Sequence, residues 1–144
     1  MWDVESKTWA NGPDSLPYIS KGSAEYKMVF GGRFSQQDFS GEMMQTPFKG
    51  IGFTGYDNVK KKYVSFWIDE LGTSMSYMEG NMNNEGTTLT LWGKMDDPMT
   101  GEKNKDVKYI LHIVDKDTHT FEMYEGKSRG DKKPSFMLTY RRKT

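Results

Sequence analysis

Apolar positions along this chain recur at alternate residues over short stretches, and almost nowhere at the three-and-four spacing of a helix. β-Branched and aromatic residues fill each stretch, and clusters of Gly, Asn, Asp or Pro end it. Strands are predicted near residues 2–9, 23–30, 33–40, 42–46, 48–56, 62–69, 74–80, 87–95, 107–115 and 119–125, with a closing one over 135–142. Turn signals lie between them at Gly31-Gly32, Asp57-Asn58, Leu71-Gly72, Asn83 to Gly86, Asp96-Asp97-Pro98 and Asp115-Lys116-Asp117. Hairpin-length links between so many strands imply an antiparallel meander, and a sheet of that size closes into a barrel or folds into a sandwich to hide its edges. No repeat, linker or low-complexity stretch interrupts the pattern, so one all-β domain is expected over 1–144.

The stretch from Gly50 to Asp69 specifies a register. With residues 58–61 as a four-residue loop, Asp57 faces Lys62, Tyr56 faces Tyr63, Phe53 faces Phe66 and Ile51 faces Ile68. On the other face, Gly52 meets Trp67 and Gly50 meets Asp69. Apolar partners segregate to one face, which is what fixes a register, and Trp67 covers the bare backbone of a strand glycine. Lys60-Lys61-Lys62 then sits at a hairpin tip, where charge discourages edge pairing. The run is read as that tip and not as a basic binding patch.

Charge supports this reading. Twenty basic residues balance twenty acidic ones, so no net field favours nucleic acid or an anionic bilayer. There is no cysteine, which removes disulfides and thiolate chemistry together. No window reaches the ~20 apolar residues of a membrane helix, and no leader pattern opens the chain. A soluble, cytoplasmic protein is expected. Met1-Trp2 starts directly in a strand pattern, so a short lead-in upstream is also expected.

Candidate chemistry is sparse. Gly50-Ile51-Gly52-Phe53-Thr54-Gly55 matches the dinucleotide fingerprint by letters, but a lysine-rich hairpin follows where a helix is needed. Arg129-Gly130-Asp131 is an adhesion tripeptide by letters only, inside a charged loop. His112 is expected opposite Glu122 through a three-residue turn, which also gathers Leu111, Ile113, Phe121 and Met123 on one face; a two- or four-residue turn would set it against Phe121. No third or fourth metal ligand converges on it, and Asp96 to Gly101 lacks the ligand spacing of a calcium loop. Asp69, Glu79 and Glu122 are the carboxylates considered for paired acid–base work, without a visible nucleophile and base beside them.

Two features favour binding over reaction. The connection over residues 10–22 is long, contains two prolines and carries Leu16, Tyr18 and Ile19, a candidate lid. Methionines 28, 75, 78, 123 and 137 fall within predicted strands, and methionine suits a ligand cavity or a soft core.

Several stretches resemble a bacterial family known as domain of unknown function 1579. They are Trp2 to Lys7, Phe48 to Asn58, Lys62 to Asp69, Gly72-Thr73, Asp117 to Tyr124, and Thr139-Tyr140-Arg141-Arg142. The family pattern usually carries a glycine two places before the first tryptophan, and this chain departs from it by starting at Met1. The resemblance implies a lipocalin-like β-barrel and no particular chemistry, so no functional residue carries over.

The fold expected is therefore an all-β, antiparallel, lipocalin-like barrel of about ten strands with little helix. Its leading function is non-enzymatic binding of a small apolar or amphipathic ligand in the barrel interior. The candidate cavity residues are Tyr26, Met28, Phe53, Phe66, Ile68, Met75, Tyr77, Leu91, Leu111 and Phe121, with Leu89 beside them. The alternative is an interaction module using an external aromatic patch of Trp67, Trp92 and Tyr124; an enzyme with a polar cavity ranks last. No cofactor, metal, nucleic acid or membrane partner is expected, and no homo-oligomer is predicted.

Overall fold

The computed structural model describes residues 1–9, 14–98, 100–126 and 134–144. Ten strands follow one another around a closed barrel: β1 (Trp2–Thr8), β2 (Tyr18–Val29), β3 (Phe34–Met43), β4 (Thr46–Asp57), β5 (Lys62–Asp69), β6 (Ser76–Met82), β7 (Thr88–Met95), β8 (Lys105–Asp115), β9 (Thr118–Glu125) and β10 (Phe136–Arg142). Each pairs antiparallel with its sequence neighbours, and β10 closes on β1, with Val4 opposite Tyr140. Among the described residues there is no helix, and none long and apolar enough to cross a membrane.

The strand expected over 42–46 is not a separate element. β3 continues through Gly41 to Met43, and the chain reverses at Met44 and Gln45, whose φ angles are 50° and 73°. Neither residue type announces a left-handed turn, whereas Gly41, taken for a break, lies mid-strand beneath the Phe39 ring.

Two buried clusters fill the interior. Val4, Ala24, Phe39, Phe48 and Tyr140 form one, with Trp2, Met43, Trp67, Leu71, Phe121 and Leu138 packed against it. Met78, Leu89, Leu91 and Val107 form the other, with Tyr63, Tyr109 and Leu111 among its neighbours. Side chains alternate along each strand, so these clusters fix which positions point inward.

The β4–β5 register is the expected one: Phe53 lies opposite Phe66, Gly52 opposite Trp67, and Asp57 opposite Lys62. The side is reversed. Trp67 belongs to the inner face, so Phe53, Phe66 and Ile68 point outward with Ile51, contrary to their expected place in the cavity. Tyr77, opposite Phe66, is outward too and 47% exposed; Met75 is 75% exposed in the β5–β6 connection. Both faces of this hairpin carry bulky apolar groups, and the glycines opposite Trp67 and Asp69 decide between them. They leave inner volume that only the large indole fills.

The β8–β9 hairpin corrects a second expectation. Its turn is two residues long, but an irregularity between Ile113 and Asp115 shifts the register, pairing His112 with Thr120 and Leu111 with Phe121. The shift from the expected pairing is even, so Leu111, Phe121 and Met123 still share the inner side. His112 points outward, where its Nδ1 lies 2.9 Å from the Thr88 hydroxyl. At the β4–β5 tip the Asp57 carboxylate accepts from the amides of Val59 and Lys60. Lys60 and Lys62 both reach Glu79, at 3.0 and 3.7 Å, so two of the three lysines share one carboxylate across the barrel wall.

Candidate functional site

The two barrel mouths differ. One carries both termini and the β2–β3, β4–β5, β6–β7 and β8–β9 turns; the other carries the remaining connections. In this second mouth lies a pocket of about 80 Å³. Its walls are Ser6 and Thr8 from β1, Phe39 and Met43 from β3, Phe48 from β4, Trp67 and Asp69 from β5, Phe136 and Leu138 from β10, and Leu71 just past β5, with Glu42 at the rim.

The wall is built around Trp67. Its indole lies over the backbone of Gly50 and Gly52, where any Cβ would collide with the ring. The Phe39 ring stands 6.3 Å from the Trp67 ring at 67°, and the Phe48 ring 5.5 Å from Phe39. Alternation along β5 places Asp69 two residues on, on the same face. The Trp67 Nε1–H donates to Asp69 Oδ2 at 2.7 Å, and the Leu71 amide donates to Oδ1 at 2.9 Å. A carboxylate is thus held among aromatic and aliphatic side chains by two neutral donors.

The Asp69 charge is felt at a tyrosine elsewhere in the barrel. Burial pushes the Tyr109 hydroxyl up to about 12, and the charges of Asp69 and Glu125 add to the effect. Lys105 does not offset Asp69: its ammonium is held by Asp97 at 2.6 Å and Glu125 at 2.8 Å. Burial works against that ammonium, but the hydrogen bonds to Asp97 and Glu125 outweigh it and raise its pKa. Among the described residues no cation pairs with Asp69.

The opposite mouth holds a second constellation, drawn from five strands. His119 stacks on Tyr140 (4.3 Å, 12°), meets Trp2 edge-on at 4.6 Å, and lies 3.3 Å through Nε2 from the Tyr26 hydroxyl. Gln37 donates to the Tyr140 hydroxyl at 2.9 Å, and the Arg142 guanidinium lies 4.4 Å from the Trp2 ring. Burial first, then the Arg142 charge, lowers the His119 imidazole from 6.5 to about 4. The folded state therefore disfavours the proton relative to the unfolded chain. Stability that is complete above pH 6.5 drains away as pH falls toward about 4. The full difference corresponds to about 3 kcal/mol, which the half-buried ring's solvent contact reduces to about 1–2 kcal/mol. Denaturation measured at pH 7 and pH 4 should show this extra loss in the wild type and not in His119→Phe. Equal losses in the two proteins would remove His119 from the acid response.

On the outer wall, a shallow groove of about 330 Å³ runs between Lys62, Glu79, Asn81, Trp92, Lys94 and Asp106. Lys62 pairs with Glu79, and Lys94 with Asp106 at 2.7 Å, so its charges largely satisfy one another. Of the expected external patch, Trp92 and Tyr124 are on the outer wall with Lys108 beside both rings, but Trp67 is inside.

The expected cavity residues do not converge on one place. Tyr26, Leu91, Leu111 and Phe121 face inward in different parts of the barrel. Met28, on the Tyr26 face of β2, is 63% exposed near its end. None of the ten lines the aromatic pocket, nor do the lid candidates Leu16, Tyr18 and Ile19, exposed by 92%, 43% and 62%. Of the three carboxylates, Asp69 faces inward while Glu79 and Glu122 sit on the outer wall, so they form no pair. Arg129-Gly130-Asp131 lies outside the described residues. Sequence reasoning missed Ser6, Phe39, Phe48, Phe136 and Leu138; their inward alternation was the available signal, but nothing local joins five separated segments.

No curated protein matches the chain. The family model described as a protein of unknown function (DUF1579) matches residues 1–142, nearly the full length. That match runs along the whole of the closed ten-stranded barrel, and the chain belongs to the DUF1579 family.

Proposed function

We propose that this protein is a binding protein that takes a small amphipathic molecule into the aromatic mouth of its barrel. One observation carries the reading: a partly open, mainly apolar pocket at the barrel mouth with one inward-facing carboxylate, Asp69. Binding sites combine these elements, an apolar lining with few polar groups that set orientation. At about 80 Å³ the pocket has room for two or three waters and is smaller than the ~150 Å³ cavity that accepts benzene. Its occupant is therefore compact, and a long acyl chain is too large for it.

The Trp67 indole N–H is a natural reporter because it forms part of the wall. Titration with a panel of small neutral, cationic and anionic compounds should shift its NMR resonance, with a best dissociation constant of about 0.1 mM, or about −5.5 kcal/mol. Leu138→Trp, which fills the pocket, should abolish the shift while the barrel still melts cooperatively. A panel that leaves the resonance unmoved, or binding that survives Leu138→Trp, would overturn the reading. The outward stripe of Ile51, Phe53, Phe66 and Ile68 would then favour an interaction module.

A further inference from the structure

We infer that the mouth pocket recognises a methylated or quaternary ammonium group, with Asp69 as counter-charge and the rings of Phe39, Phe48, Trp67 and Phe136 as its cage. The inference rests on the binding reading above and names its ligand class.

Three observations converge on this class. The first is charge: Asp69 lines the pocket, is held by the indole N–H and one amide, and has no cationic partner among the described residues. A carboxylate surrounded by apolar groups is best compensated by a cation. The largely buried ammonium of Lys105 is already held by two other carboxylates. The second is the wall. Aromatic faces attract cations through their quadrupoles, more strongly when water is excluded, and quaternary ammonium ions are the ligands that such cages serve. Phe39 contacts both Phe48 and Trp67, giving three differently tilted rings around one space. The third is access. The pocket opens at the barrel mouth, so a methylated nitrogen can seat against the rings and Asp69 while the rest of its molecule stays outside. A primary ammonium would find further acceptors in the Ser6 and Thr8 hydroxyls of the wall, so the preference for a methylated nitrogen rests on the aromatic lining. A methylated nitrogen has few or no N–H groups to satisfy and presents apolar methyls to the rings.

The same head group occurs on free solutes and on a choline lipid, and the test separates these sources. The full chain is titrated with choline, with tetramethylammonium, and with the neutral analogue of choline in which carbon replaces nitrogen, by calorimetry and by the Trp67 indole resonance. Vesicles of phosphatidylcholine form a further arm. Choline should bind about tenfold more tightly than its carbon analogue. Asp69→Asn should remove most of that advantage without changing the analogue's affinity, and Phe48→Leu should weaken choline about fivefold, with thermal melts verifying that both variants fold. Binding to vesicles in preference to choline would support the same head-group chemistry with a lipid as its source. Equal or tighter binding of the carbon analogue would overturn the cationic class while leaving the pocket reading intact. Failure of choline, tetramethylammonium and vesicles alike would also overturn it, and the wider panel would still decide whether the pocket binds anything.

Discussion

Gly80→Ala is expected to lower the melting temperature by roughly 10 °C, from a stability loss of about 3 kcal/mol. Gly80 pairs with Leu91 across β6 and β7 and is buried beside Met78 and Leu91, each 1% exposed. A Cβ there would collide with the Thr90 carbonyl oxygen and lie 2.9 Å from the Leu91 Cα. Those are backbone atoms of the partner strand, so no side-chain rotation relieves the overlap and β7 must move. The control is Gly72→Ala, where the nearest atom is a Pro98 carbon at an ordinary 3.4 Å. A change below about 1 kcal/mol is expected there. If the two variants melt within a degree or two of each other, the β6–β7 approach is looser than this geometry requires.

The second large effect is at Trp67. Trp67→Ala should cost about 3–5 kcal/mol in chemical denaturation, the range for deleting a large aromatic side chain from a core. Three losses coincide: the packing against the Val4–Phe39–Tyr140 cluster, the cover over the Gly50 and Gly52 backbone, and the indole donor to Asp69. Trp92→Ala, on the outer wall and 44% exposed, should cost far less. A double-mutant cycle sharpens the argument. Gly52→Val alone should cost about 1–3 kcal/mol by crowding the indole, since its Cβ would sit 2.7 Å from the ring. In the Trp67→Ala background the same valine fills vacated space, so its cost should vanish or reverse. Additive costs would mean that the indole and the glycine do not share one volume.

These two positions also show how far the sequence could be read. The β4–β5 register was legible because glycines and bulky residues alternate there in a way that only one pairing satisfies. The inner side was not, because Phe53, Phe66 and Ile68 outnumber Trp67 and the count of apolar residues favoured the wrong face. Curvature and glycine-made space, which decide the matter, are properties of the closed barrel. The turn at Met44-Gln45 was illegible for a local reason: its left-handed backbone is held by the ladder of β3 against β4, not by a residue that prefers it. Asp69 and Trp67 could be named from the sequence, but not their company, because Ser6, Phe39, Phe48 and Leu138 arrive from four other strands. His119 was passed over for the same reason, since Trp2, Tyr26 and Tyr140 lie on three other strands.

The closure of β10 on β1 has a consequence for how the barrel is made and lost. Among the described residues it is the only strand pairing between distant parts of the chain; every other joins consecutive strands. Hairpins can zip locally in any order, but this last contact waits until both ends of the chain meet, so it is a late, entropically demanding event. Parting it leaves the rest of the ladder intact, yet turns an edgeless cylinder into an open sheet with two unpaired borders, each a template for another molecule. Trp2, Tyr26, His119 and Tyr140 straddle that line, from β2 across β1 and β10 to β9. Acid that charges His119 therefore acts on the fastener of the cylinder, and the hazard it brings is intermolecular strand exchange before general unfolding.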